Sequence, residues 1–239
     1  AIIRQATSTS GNILSFMSGG ASSGHFAQEI GNVRGLNAVS KGTVSDATNL
    51  NGGNNVYVSG RYAYVTGTNL LAVVDVSNPA RPLVVGSVID SVLLSGAVSV
   101  SVSGRYAYVV ASTAKRVTVV DIANPARPVI VGSVNDAIKL IASSGGSNLI
   151  AISGRYAYVG AGTYLNVIDI SNPSSPTIVG FVSDGSLIAN VLGLAVTGNY
   201  VYVTTGTAGY VTVIDVSNPS APKIAGSVSG GAIGNVYGI

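Results

Sequence analysis

Leu71-Ala72-Val73-Val74-Asp75 runs into Val76-Ser77-Asn78-Pro79, with a second proline at Pro82. An apolar run that suits a buried strand ends on an acid, and an Asn-Pro turn then reverses the chain. The block returns as Val117-Thr118-Val119-Val120-Asp121 before Asn124-Pro125, as Leu165-Asn166-Val167-Ile168-Asp169 before Asn172-Pro173, and as Val211-Thr212-Val213-Ile214-Asp215 before Asn218-Pro219. Upstream of each copy lies a second repeated strand: Ser59-Gly60-Arg61-Tyr62-Ala63-Tyr64-Val65, then Ser103 to Val109, Ser153 to Val159, and Thr197-Gly198-Asn199-Tyr200-Val201-Tyr202-Val203. Self-similarity at a fixed period is the signature of a repeat architecture.

The spacing from Arg61 to Arg105, Arg155 and Asn199 is 44, 50 and 44 residues, close to the roughly 40–50 residues of propeller repeats. Each period divides into four strands; in the second copy they are Val98 to Val102, Tyr106 to Ala111, Val117 to Ile122 and Val129 to Val134. Tyr62 and Tyr64 point to one face while Ala63 and Val65 point to the other, so both faces carry apolar residues. Such strands need cover on both sides, which a radial stack of blades supplies. The expected fold is all-β, a β-propeller-like array of four-stranded antiparallel blades. Four repeats are clear, at about 54–90, 97–136, 148–184 and 190–229 within a domain spanning 51–239. Residues 1–50 are either a non-repeat arm or an irregular fifth blade.

The Leu/Val-x-Val-Val/Ile-Asp strand followed by Asn-Pro-x-x-Pro resembles the LVIVD repeat family over residues 54 to 229. That resemblance implies tandem β-propeller blades of the kind found largely in bacterial and archaeal surface or exported proteins. It implies an extracellular or cell-surface location and brings no shared catalytic activity with it.

Composition narrows the function classes. Apolar residues make up 47% of the 239 and charged ones only 9%, with 31 Gly and 8 Pro to serve the many chain reversals. Without cysteine there is neither a disulfide framework nor a thiolate metal site. No run of 18 apolar residues is present, so no membrane-spanning helix is expected. The net charge of +3 comes from 12 cations and 9 anions scattered along the chain, which argues against a nucleic-acid partner. Ala1-Ile2-Ile3-Arg4 is followed at once by polar residues, so no signal peptide is read, and an exported protein would be a processed form or a fragment.

Three residue sets invite chemistry. Asp75, Asp121, Asp169 and Asp215 each end a strand before an Asn-Pro turn, where a carboxylate accepts backbone N–H groups; a metal ring would need several oxygens within one loop. Asp90, Asp136 and Asp184 end the last strands and read as turn residues, while Arg61, Arg105 and Arg155 are expected to stack on Tyr or pair with Asp between blades. His25 and Glu29 are the only histidine and glutamate, and with Ser22 or Ser23 they lie in a Gly/Ser tract that is no nucleophile elbow. No catalytic, cofactor-binding or metal residue is therefore assigned, no cofactor is expected, and the protein is read as non-enzymatic.

The ends leave strands over. Ile13 to Met17 and Asn32 to Leu36 look strand-like, and Asn235 to Ile239, within a surplus C-terminal segment 234–239, echoes Asn190 to Leu194. An unpaired apolar strand invites pairing with another chain. The expectation is thus an extracellular structural or adhesive repeat protein, a filament or surface-layer subunit that self-associates head-to-tail through terminal strands. The alternative is a propeller module that binds a ligand or protein, recognising a glycan or surface protein at one rim.

Overall fold

The computed structural model describes residues 41–140, 149–206 and 209–229. Sixteen strands fill them. The first sheet holds β1 (Asn55–Ser59), β2 (Tyr62–Gly67), β3 (Leu70–Asp75) and β4 (Leu83–Ile89). The second holds β5 (Ala97–Ser103), β6 (Tyr106–Ala111), β7 (Arg116–Asp121) and β8 (Val129–Asn135). The third holds β9 (Ile150–Ser153), β10 (Tyr156–Ala161), β11 (Tyr164–Asp169) and β12 (Thr177–Ser183). The fourth holds β13 (Val191–Thr197), β14 (Tyr200–Thr205), β15 (Tyr210–Asp215) and β16 (Lys223–Ser229).

Every described pairing joins strands adjacent in sequence, and all are antiparallel, so each sheet is a meander with the Tyr strand and the Asp-ending strand at its centre. Glycine makes the first reversal possible. Gly60, Gly104, Gly154 and Gly198 sit in the two-residue turns at φ of 58, 58, 58 and 56°, a region costly for residues with a β-carbon. The outer strand carries a bulge at the same place each time, between Val73 and Val74 on the partner strand in the first sheet and at Val119/Val120, Val167/Ile168 and Val213/Ile214 in the others.

The sheets stack face to face in chain order. Tyr64, Leu71 and Val73 of the first sheet pack on Val100, Ala107, Val109 and Val120 of the second. Tyr108, Val117 and Val119 of the second pack on Ile150, Ala157, Val159 and Ile168 of the third. Tyr158, Leu165 and Val167 then pack on Leu194, Val201, Val203 and Ile214. This two-sided burial is why the strands are apolar on both faces. Each junction is also plugged from the connection between sheets, by Leu94, Leu140 and Ile188, all 0–1% exposed; full burial of such a side chain is worth about 1.5–3 kcal/mol.

These plugs follow a turn capped by Asp. The N–H groups of Val92 and Leu93 donate to Asp90 Oδ1, those of Ile138 and Lys139 to Asp136 Oδ1, and those of Ser186 and Leu187 to Asp184 Oδ1. Asp46 makes the same turn with Thr48 and Asn49, ahead of β1. The expected strands at Ile13–Met17, Asn32–Leu36 and 234–239 lie outside the described residues.

Candidate functional site

The repeated Asp and Arg residues meet at the turn end of each sheet. Tyr62 faces Asp75 across β2 and β3, which puts Arg61, one residue before Tyr62, beside the carboxylate. Arg61 Nη2 donates to Asp75 Oδ2, Arg105 Nη2 to Asp121 Oδ2 and Arg155 Nη2 to Asp169 Oδ2. Each pair lies within one sheet, not between blades as the sequence suggests, because the hairpin register sets both residues at one edge. Each guanidinium also covers its own neighbouring ring, 5.3 Å from Tyr62 and 5.4 Å from Tyr106 and Tyr156.

The second carboxylate oxygen is used as well. Ser77, Ala123, Ser171 and Ser217 donate their backbone N–H to Oδ1 of Asp75, Asp121, Asp169 and Asp215 at 2.8–2.9 Å. Bonding to Arg61 and Arg155 holds the Asp75 and Asp169 carboxyls down at about 2, and Arg105 lowers Asp121. In the fourth sheet Asn199 stands where the others have Arg, and Asp215 is lowered chiefly by the Ser217 hydroxyl. These groups fasten turns. Among the described residues there is no group of three or more His, Cys, Asp or Glu arranged to hold a metal ion, and His25, Glu29, Ser22 and Ser23 lie outside them.

A site shows itself where one repeat departs from the others. On the outer strands, Ser87, Ser133 and Ser227 occupy equivalent places, but the third sheet has Phe181. Leu93 and Leu187 occupy equivalent places in the connecting turns and Asn49 the same place ahead of β1, but the turn before the third sheet has Lys139, the one charged residue of the four. The two departures meet: Lys139 Nζ lies 5.1 Å from the centre of the Phe181 ring and donates to Asp136 Oδ2 at 2.5 Å. That ion pair is the main reason the Asp136 carboxyl is held at about 2.

Around them is a pocket of about 370 Å³ at the outer edge of β12, lined by Asp136, Lys139, Ile178, Val179, Gly180, Phe181 and Ser220. Phe181 is 46% exposed and leans on Tyr164, with ring centres 6.0 Å apart. Its cross-strand partner is Asn166, where the second and fourth sheets have Thr118 and Thr212. Asn166 is fully buried and donates to the Lys139 carbonyl at 2.8 Å, while its Oδ1 accepts nothing. The pocket thus offers an aromatic face, aliphatic walls, one carboxylate, one ammonium and one hydroxyl. Sequence reading passes over Phe181 and Lys139, although aligning the four outer strands exposes the first and aligning the connecting turns the second.

Four stacked antiparallel meanders, each of one repeat, define a β-propeller-like protein. The LVIVD repeat model matches residues 53–90, 96–136, 144–184 and 190–229, and the chain belongs to the LVIVD repeat family. Among solved structures the chain is similar to a 6-phosphogluconolactonase, so named only provisionally, of Bacteroides fragilis (TM-score 0.63, 13% identity, 78% of this chain and 56% of that one). It is similar also to such a protein of Bacteroides uniformis (TM-score 0.61, 14% identity, 74% and 55%) and to the periplasmic gluconolactonase of Pseudomonas aeruginosa (TM-score 0.61, 18% identity, 77% and 56%). The chain spans little more than half of each neighbour's length, and at these identities the likeness shows the fold alone. No curated protein matches the sequence.

These neighbours overturn the expectation of a structural or adhesive subunit of a filament or surface layer. They are propellers named for acting on small molecules, which favours the alternative of a binding propeller. Among the described residues no helix is long and apolar enough to cross a membrane.

Proposed function

We propose that the protein is an exported ligand-binding propeller module that takes a glycan in the pocket on β12. The observation that carries the reading is the joint departure of Phe181 and Lys139 from the repeat, because a scaffold residue has no reason to differ in one blade at two contacting positions. Function resides in such sites and not in the fold. The apolar face of a sugar ring suits the exposed Phe181 ring, and its hydroxyls suit Asp136, Lys139 and Ser220, the few convergent polar groups expected of a ligand site. Lys139 then trades part of its contact with Asp136 for the ligand. The periplasmic location in one neighbour's name and the surface or exported character of the family support a place outside the cytoplasm or at the cell surface.

The neighbours' names also support a second reading, a propeller acting on a small sugar acid or lactone.

A glycan array followed by calorimetric titration of the strongest hit tests the proposal. Phe181→Ser, which restores the residue of the other three blades, should weaken binding at least about tenfold with an unchanged melting temperature. Equal binding by Phe181→Ser, or no binding to any glycan, defeats it.

A further inference from the structure

The two outer faces of the blade array are the separated halves of a junction that the chain builds three times. At each inner junction a glycine in the outer strand lies against the Asn-Pro turn of the next blade. A β-carbon on Gly86 would collide with Pro125 and Ala126, one on Gly132 with Pro173 and Ser174, and one on Gly180 with Pro219 and Ser220. Gly226, the fourth of the series, faces open space. The matching turn is also free: Pro79 is exposed, whereas Pro125, Pro173 and Pro219 are half-buried.

The apolar faces agree. Val100, Ile150 and Leu194 are 2%, 2% and 1% exposed, but Val56, their equivalent in the first blade, is 56% exposed. Val58 beside it is 62% exposed, and Val65 is half-buried where Val109, Val159 and Val203 are fully buried. On the fourth blade Tyr202 and Val213 are half-buried where Tyr64, Tyr108, Tyr158, Val73, Val119 and Val167 are buried. Val228 is 55% exposed. Contiguous apolar surface of this kind marks an interaction site.

We propose that a second copy of the chain covers both faces. The first blade of one copy packs on the fourth blade of the other, seating the Asn78–Ala80 turn over Gly226. The occupant follows from complementarity: one face offers a turn and lacks a glycine seat, the other offers the seat and lacks a turn, and neither matches itself. A second copy brings what each face lacks, with the shape and side chains of the three inner junctions. Used reciprocally, the contact joins the four described blades of each copy into one ring, and a head-to-tail contact whose rotation closes ends at a defined size. The surfaces differ from the β12 pocket, so either idea stands or falls without the other.

The absence of cysteine allows a clean test. Chains carrying Gly226→Cys are mixed with chains carrying Ala80→Cys and oxidised, and the unmodified chain is weighed in solution by light scattering. The expected results are a cross-linked pair formed far more from the mixture than from either chain alone, and a particle of twice the 23.8 kDa chain mass. Gly226→Leu, whose added β-carbon meets nothing within 4 Å among the described residues, should fold normally and weaken the association at least about 100-fold. A folded protein that stays at 23.8 kDa up to about 100 µM overturns the proposal, as does association without the cross-link or growth into open-ended particles.

Discussion

The carbonyl oxygen of Pro125 occupies the place that a β-carbon on Gly86 would need. Backbone therefore meets backbone between blades, and the closeness of the stack depends on a residue with no side chain. Gly132 and Pro173 stand in the same relation, whereas a β-carbon on Gly226 would meet nothing within 4 Å among the described residues. Gly132→Ala should accordingly lower stability by about 1–3 kcal/mol, the usual cost of overpacking. Gly226→Ala should leave the melting temperature of the single chain within a degree. Thermal melts of the two variants, at a dilution that keeps the chain monomeric, make the comparison.

Asn166 offers a gain. Its buried Oδ1 accepts no hydrogen bond, while Thr118 and Thr212 at the equivalent positions donate to the carbonyls of Leu93 and Leu187 and leave no amide oxygen behind. Asn166→Thr keeps a donor for the Lys139 carbonyl and removes the stranded acceptor, whose burial costs about 1–3 kcal/mol. The variant should melt higher than the parent, and a lower midpoint in calorimetry would count against the assignment.

Acid should loosen the turns in a particular range. Asp75, Asp136 and Asp169 are each held at about 2 by Arg61, Lys139 and Arg155, against about 3.9 for an unperturbed Asp. A carboxyl with a depressed folded value contributes stability that is complete above the unfolded value and is lost as pH falls through the folded one. The melting temperature should thus fall between about pH 5 and pH 2. Arg155→Gln, which moves Asp169 toward its ordinary value, should make that fall shallower; an identical slope in the two proteins would sink the argument.

Divalent metal should be dispensable to the blades. The carboxylates of Asp75, Asp121 and Asp169 have one oxygen on Arg and the other on a backbone N–H, which leaves little for a cation. EDTA should leave the melting temperature unchanged, and a drop of several degrees reversed by calcium would show a bound ion.

Strand placement was readable from residue type because punctuation surrounds each strand: Ser-Gly-Arg before the Tyr strand and Asn-Pro after Asp75 leave only short apolar runs between them. Tyr64 and Val73 show both faces of a sheet in their alternation, and hence the stacking. Partnership was less readable. Nothing in the spacing of Arg61 and Asp75 tells whether they meet within a sheet or across two, since that depends on the hairpin register. Asp46 falls within residues 1–50, which lack both repeated blocks and so read as an arm or an irregular blade, while its turn is that of Asp90. Phe181 hid for another reason: an aromatic residue in a strand is ordinary, and only its serine counterparts make it conspicuous.

Every described strand forms its backbone ladders only with strands adjacent to it in sequence, and this has a consequence for birth on the ribosome. A blade such as β5 to β8 is finished once residues 97 to 135 have emerged, with no need to wait for a distant partner. Loop closures stay short, which keeps pairing fast for an all-β chain, and domains fold as units during synthesis. The nascent protein can add blades one at a time, each new sheet templated by the exposed Tyr face of the one before it. Gain or loss of one whole unit by recombination would change the length of the array while leaving the others foldable.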